Sequence, residues 1–191
     1  MDNPPRLNID TQIHFTELGI LGDLLKSVAC PDMKILEIGT GQGGSTLFLC
    51  DIIKQYNGVI YTIDIMPPRE IVALSLASKW IKFMVGRSED FLKILSPFVG
   101  FDFIFIDGSH LYKDVLADIQ LSLPLLKQGG ILCGHDCENK YTNYDEGRRA
   151  IIDKEVEEGR ESFCHAGVVK ALYVALQDNY EIMPRIWYVK K

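Results

Sequence analysis

Nothing in this 191-residue sequence approaches the roughly 20 consecutive apolar residues that span a bilayer. The opening MDNPPRLNIDTQIHF lacks a basic stretch followed by an apolar core, so it does not read as a secretory leader. No segment concentrates Lys or Arg. With 20 basic against 26 acidic residues, the net charge of −6 speaks against a nucleic-acid partner and suits a small or neutral ligand. The cysteines (Cys30, Cys50, Cys133, Cys137 and Cys164) are odd in number and form no CxxC pair, the pattern of free thiols in a reducing cytoplasm. There is no YxxxK pair of the kind that polarises a substrate hydroxyl in nicotinamide enzymes. Repeats, low-complexity tracts and long linkers are missing too. At 47% hydrophobic residues, the chain reads as a single domain over 1–191, with 1–14 as an N-terminal extension. A soluble cytoplasmic protein without membrane partners is the expectation, with a homo-oligomer left open.

What is present is alternation. Apolar residues recur at helical spacing in FTELGILGDLLKSV (15–28), and MKILEIG (33–39) reads as a short buried strand. Ser45 suits the cap of a helix through Tyr56, closed by Asn57-Gly58. Strands VIYTIDI (59–65), IKFMV (81–85), FDFIFID (101–107) and ILCGH (131–135) follow, separated by helices to about Trp80, over SEDFLKIL, and from Leu111 to Leu126. Gln128-Gly129-Gly130 is expected to stop the last of these. A helix within 138–162, another over 167–178, and the short strands YEIM and IWYVKK complete the chain. Strands alternating with helices imply right-handed crossovers and a doubly wound, Rossmann-like α/β sheet covered on both faces.

The first strand runs into EIGTGQGGST (37–46), in which Gly39, Gly41 and Gly44 satisfy GxGxxG and Glu37, Gly39, Gly41 and Gly43 satisfy ExGxGxG. Such a loop turns tightly, lets a ligand approach without a Cβ in the way, and presents amides at a helix N-terminus. Asp64, 20 residues past Gly44, ends the second strand, where a carboxylate can accept from both hydroxyls of a ribose or simply be a solvated strand end. Glu37 is placed to take loop amides or to be satisfied locally. Ser88, after Gly86, lies where an adenine would project, and equally suits the N-cap of SEDFLKIL. The glycines point to a nucleoside-bearing cofactor but leave NAD and S-adenosylmethionine open.

Ligands of open α/β sheets sit beyond the carboxyl ends of the strands. There FIFIDGSH delivers Asp107 and His110, and the neighbouring strand delivers His135 and Asp136. Asp107, His135 and Asp136 together can bind a divalent cation with positions open for a hydroxyl, the imidazole suiting Mn²⁺ or Fe²⁺ better than Mg²⁺. The bland alternative is a loop cap and a packed imidazole. Cys133, His135 and Cys137 alternate and raise a zinc alternative. His110 opens the next helix, whose positive end disfavours the imidazolium, so it can act as a neutral base or simply bond the loop. His14 and His165 have no comparable partners nearby and are read as structural or substrate-lining.

EIGTGQGGST, YTID, FIFIDGSH, LLKQGGILCGHD and IWYVKK together resemble the class I S-adenosylmethionine-dependent methyltransferases, in particular the macrocin-type sugar O-methyltransferases and cephalosporin-hydroxylase-like proteins. The resemblance covers residue 15 to the end. It implies a seven-stranded sheet ordered 3-2-1-4-5-7-6 with its last strand antiparallel. It also implies a methionine-binding loop at Gly39, Thr40, Gly41 and Gly43, with Glu37, Ser45, Gly86, Ser88 and Asp107 near the cofactor and Asp64 on its ribose. Asp107 and Asp136 become Mg²⁺ ligands and His110 the general base. One departure is that His135 stands where the sugar enzymes carry a glutamate. The implied activity is O-methylation of a small hydroxylated molecule; an NAD-dependent oxidoreductase and a non-catalytic cofactor-binding accessory protein are the alternatives. Acceptor specificity is expected from the N-terminal segment and residues 137–166.

Overall fold

The computed structural model describes residues 13–66, 69–95, 99–161 and 165–191. Seven strands, β1 (Lys34–Ile38), β2 (Val59–Asp64), β3 (Ile81–Val85), β4 (Phe101–Ile106), β5 (Leu126–Gly134), β6 (Glu181–Met183) and β7 (Ile186–Lys190), form one sheet ordered β3-β2-β1-β4-β5-β7-β6. The first five pair in parallel, and β7 runs antiparallel to both β5 and β6. The helices are α1 (Phe15–Ser27), α2 (Gly44–Ile53), α3 (Arg69–Ala77), α4 (Ser88–Leu95), α5 (Tyr112–Leu125), α6 (Glu146–Glu157) and α7 (Ala166–Leu176).

Two apolar layers show why the central strands read as continuous hydrophobic runs. Side chains of a strand alternate between faces. Ile35, Phe103, Phe105, Ile131 and Cys133 therefore pack on one side with α1 and α2, while Leu36, Ile104, Ile106 and Leu132 pack on the other with α5 and α7. Every residue of β4 is buried. Among the described residues no helix is long and apolar enough to cross a membrane.

Local boundaries depart from the sequence reading in three places. Ser45 is not the cap of α2; that position is Gly43, in the left-handed region at φ 88°, and Ser45 turns inward instead. The helix predicted through Tyr56 tightens to a 3₁₀ turn after Ile53 and is closed by Asn57 at φ 55°. The Gln128-Gly129-Gly130 stretch lies inside β5 rather than ending a helix: register jumps from Phe101↔Leu126 to Phe103↔Ile131, and Gly129 at φ 83° absorbs the irregularity. Most of the 1–14 extension and Cys164 lie outside the described residues.

The sheet order places the β6–β7 turn at the same edge as the carboxyl ends of β1, β4 and β5, because antiparallel pairing sets Trp187 opposite Gly134. Asp64, Asp107, His135 and Asp136 end their strands or lie just past them at that edge.

Candidate active site

The glycine loop leaves β1 at Ile38 and is held by backbone bonds on both sides. Gly39 N–H donates to Ile63 O at 2.9 Å, and Asp107 N–H donates to Ile38 O at 2.7 Å. Gly39 sits at φ 94°, and a Cβ built there would lie 2.1 Å from the Asp107 carbonyl oxygen. Only glycine permits this approach. The loop and the tip of β4 therefore lie backbone against backbone. A Cβ at Gly41 would meet nothing within 4 Å, so the outer wall of the loop is open to a ligand.

Asp64 holds the loop from the other side. Its carboxylate accepts from Thr40 N–H at 2.9 Å, Gly41 N–H at 3.0 Å and Met66 N–H at 2.9 Å. A carboxylate offers about four lone-pair positions, so one remains for a ligand hydroxyl. Glu37 is fully buried and takes hydroxyls rather than loop amides: Ser45 Oγ at 2.6 Å, Thr62 Oγ1 at 2.6 Å, and Thr46 Oγ1. Burial pushes its carboxyl up to about 7, with the three hydroxyls pulling the other way. Thr40 is buried against Thr62, its Oγ1 2.6 Å from Thr62 Oγ1. Gly86 N–H donates to Asp64 O at 2.9 Å. Ser88 turns away from the loop and donates to Asp118 of α5 at 2.5 Å.

The second half of the edge is built from titratable groups. Asp136 lies just past β5 at φ 63° and is contacted from every side. His110 Nε2 is 2.9 Å from Asp136 Oδ2, while His135 Nδ1 is 3.0 Å and His165 Nε2 3.6 Å from Oδ1, which also pairs with Arg185. His135 Nδ1 is 3.7 Å from Asp107 Oδ1 as well. Burial alone would raise the Asp136 carboxyl, but the bonds to His110 and His135 hold it well below the usual range. Burial raises Asp107 to about 6, against the pull of His135.

The Asp136 bond raises His110 against partial burial. The helix end is not the nearest influence on His110: α5 begins two residues later, at Tyr112, whereas the Asp136 carboxylate lies at hydrogen-bond distance and pulls the imidazole upward. For His135, burial lowers the imidazole, yet Asp136 and Asp107 win and raise it.

Two sets among the described residues, Asp107–His135–Asp136 and His110–Asp136–His165, each place one ligand atom per residue within 4.8 Å of the others. The zinc alternative does not assemble. Cys133 packs on the α1 and α2 side with Sγ toward Ile104 O, whereas the turn at Asp136 sends Cys137 into the opposite layer.

Three participants, Glu17, Glu138 and Arg185, escaped the sequence reading, and a fourth, His165, was read there as structural or substrate-lining without partners nearby. His165, at the N-terminus of α7, has its ring 4.9 Å from that of His110 and its Nδ1 2.8 Å from Glu138. Gly167 was the available signal, since a Cβ there would lie 2.1 Å from His110 O, so α7 must pack closely on that loop. Glu17 of α1 sits 3.2 Å from His135 Nε2. Arg185 of the β6–β7 turn and Glu138, just past β5, lie 3.5 Å apart, brought near each other by the pairing of β5 with β7. His14 is structural, capping α1.

A family model described as a methyltransferase domain matches residues 36–137. No curated protein sequence gives a significant match. Among solved structures, the MycE methyltransferase of mycinamycin biosynthesis, in complex with Mg and SAH, aligns at TM-score 0.63 and 22% identity, covering 95% of this chain and 51% of that one. This chain thus spans about half the length of MycE. An O-methyltransferase from Bacillus cereus in complex with SAH aligns at 0.64 and 18%, covering 96% and 85%. TomG, an O-methyltransferase of tomaymycin synthesis from Streptomyces achromogenes in complex with SAM, aligns at 0.64 and 17%, covering 95% and 82%. At these identities the structures share a fold with this chain.

Proposed function

Since the chain belongs to the methyltransferase-domain family, we propose that it transfers a methyl group from S-adenosylmethionine to a hydroxyl of a small molecule. One observation carries this reading: the loop suited to the cofactor touches the strand tip that bears the polar cluster, with Gly39 packed against Asp107. A donor held by the loop and an acceptor held by the cluster would be neighbours, and closeness is a large share of what such a reaction needs.

S-adenosylmethionine supplies an electrophilic methyl: the hydroxyl oxygen forms the new C–O bond as the C–S bond breaks and its electron pair stays on sulfur. In this assignment Gly39, Thr40, Gly41 and Gly43 shape the methionine wall, and Asp64 offers its remaining lone pair to the ribose. His110 takes the hydroxyl proton at a ring nitrogen, and Asp136 orients the imidazole and stabilises its charge. Glu37 and Ser45 hold the loop from inside rather than touching the cofactor. Ser88 serves Asp118.

Asp107, His135 and Asp136 fit a divalent cation. These three would hold the ion, His135 Nδ1 standing 3.0 Å from Asp136 Oδ1 and 3.7 Å from Asp107 Oδ1. Glu17 behind His135 is the carboxylate partner that ligating imidazoles usually have. Such an ion would orient the hydroxyl and lower its pKa, and the imidazole favours Mn²⁺ or Fe²⁺ over Mg²⁺.

The test is incubation of the purified protein with S-adenosylmethionine, Mn²⁺ or Mg²⁺, and a panel of phenols, catechols and sugars, followed by mass spectrometry. Methylated product with matching release of S-adenosylhomocysteine is expected. Cofactor binding with no transfer to any acceptor would favour the accessory-protein alternative. Binding of NAD in its place would revive the oxidoreductase.

A further inference from the structure

Arg185 stands where the cation reading of this site meets a competitor. The β6–β7 turn holds it in the left-handed region at φ 59° and points it at the tip of β5. Its Nη2 pairs with Asp136 Oδ1, the same oxygen that faces His135 Nδ1 in the candidate cation set. Two positive groups cannot share one carboxylate oxygen at contact distance without strong mutual repulsion. The side chain is nevertheless 41% exposed, and no hydrogen bond holds its buried Nε. It also has somewhere to go. Its Nε is 3.5 Å from Glu138 Oε1. Beyond lies a cleft of about 480 Å³ lined by Glu138, Asn143, Glu181 and Arg185 itself, among others.

We propose that Arg185 is a displaceable arm: its guanidinium neutralises Asp136 when no divalent ion is bound, and it yields that oxygen to the ion by swinging toward Glu138 and Glu181. The proposal rests on Asp107, His135 and Asp136 forming a cation site. The chain thus carries its own counter-charge for Asp136, and metal affinity is set by a competition between guanidinium and ion. The histidines around Asp136 do not substitute for the arm. His135 belongs to the ligand set, His110 contacts the other oxygen, Oδ2, and His165 Nε2 stands 3.6 Å from Oδ1, farther off than the guanidinium.

The experiment uses chelator-stripped full-length protein and Mn²⁺ alone, titrated calorimetrically into wild type, Arg185→Met and Arg185→Lys. Methionine keeps the length of the stem without the charge. Lysine keeps the charge but not the planar fork, so its grip on a carboxylate is weaker. Mn²⁺ should bind Arg185→Met about tenfold or more tighter than wild type, with Arg185→Lys between them. Equal or weaker binding by Arg185→Met, with measurable binding by wild type, would overturn the arm while leaving the cation site standing. No Mn²⁺ binding by any of the three would overturn the cation site itself and the arm with it. If Arg185→Met does not fold, the lysine variant decides: tighter than wild type supports the arm, equal affinity refutes it.

Discussion

The two halves of the candidate site are built on opposite plans. The glycine-loop half is made of backbone and hydroxyls. Asp64 is saturated by three amides but for one position, and Glu37 is buried under three hydroxyls. The Asp136 half is made of side chains that carry charge, with three imidazoles and a guanidinium around one carboxylate. A rigid, satisfied surface suits a cofactor that is bound the same way each turnover. A charge-dense, partly exposed cluster suits proton transfer and ion exchange. We assign binding to the first and chemistry to the second, with Gly39 at the seam between them.

Breaking the seam should have the largest effect. Gly39→Ala forces a Cβ into the Asp107 carbonyl and a non-glycine residue into φ 94°. A loss of roughly 3 kcal/mol or more is expected in urea unfolding, with S-adenosylhomocysteine affinity and turnover falling together. A variant that lost only one of the two would show that the halves are not coupled at this contact.

Next in size is the separation of the halves. His110→Ala should lower turnover roughly a hundredfold or more while cofactor affinity stays near that of wild type. Unchanged turnover would remove His110 from the chemistry.

The smallest effect probes the binding half alone. The Glu37 carboxyl is raised from 4.5 to about 7 in the fold. Its contribution therefore favours the folded state most below about pH 4.5, where Glu37 is protonated folded and unfolded, and fades as pH climbs through 7. Relative to Glu37→Gln, wild type should lose on the order of 3 kcal/mol between those limits and be flat above them. Parallel stability curves for the two proteins would place the charge elsewhere.

How much of this was legible in the sequence follows the same division. The fold was legible because both periodicities and the glycine loop are local, and the strand order followed from the resemblance. The binding half was legible for the same reason: Gly39, Gly41 and Asp64 belong to one strand–loop–strand unit. Within it, what failed was direction. A short hydroxyl suits a cap and an inward bond equally well, so Ser45 turning to Glu37 and Ser88 turning to Asp118 could not be read from residue type. The chemical half is contributed by α1, β4, β5, the start of α7 and the β6–β7 turn. Asp107, His110, His135 and Asp136 announced themselves at strand ends. Glu17, Glu138, His165 and Arg185 reach the same point only through tertiary packing, and the one local mark is Gly167, two residues past His165.

The most direct test of the central claim is calorimetric titration of S-adenosylhomocysteine into wild type, with Asp64→Asn as the comparison. The account predicts micromolar binding by wild type and about tenfold or more weaker binding by Asp64→Asn, since the substitution removes a charged acceptor shared by loop and ribose. No binding by wild type, or equal binding by both proteins, would mean that the glycine-loop half does not hold the methyl donor in the way proposed.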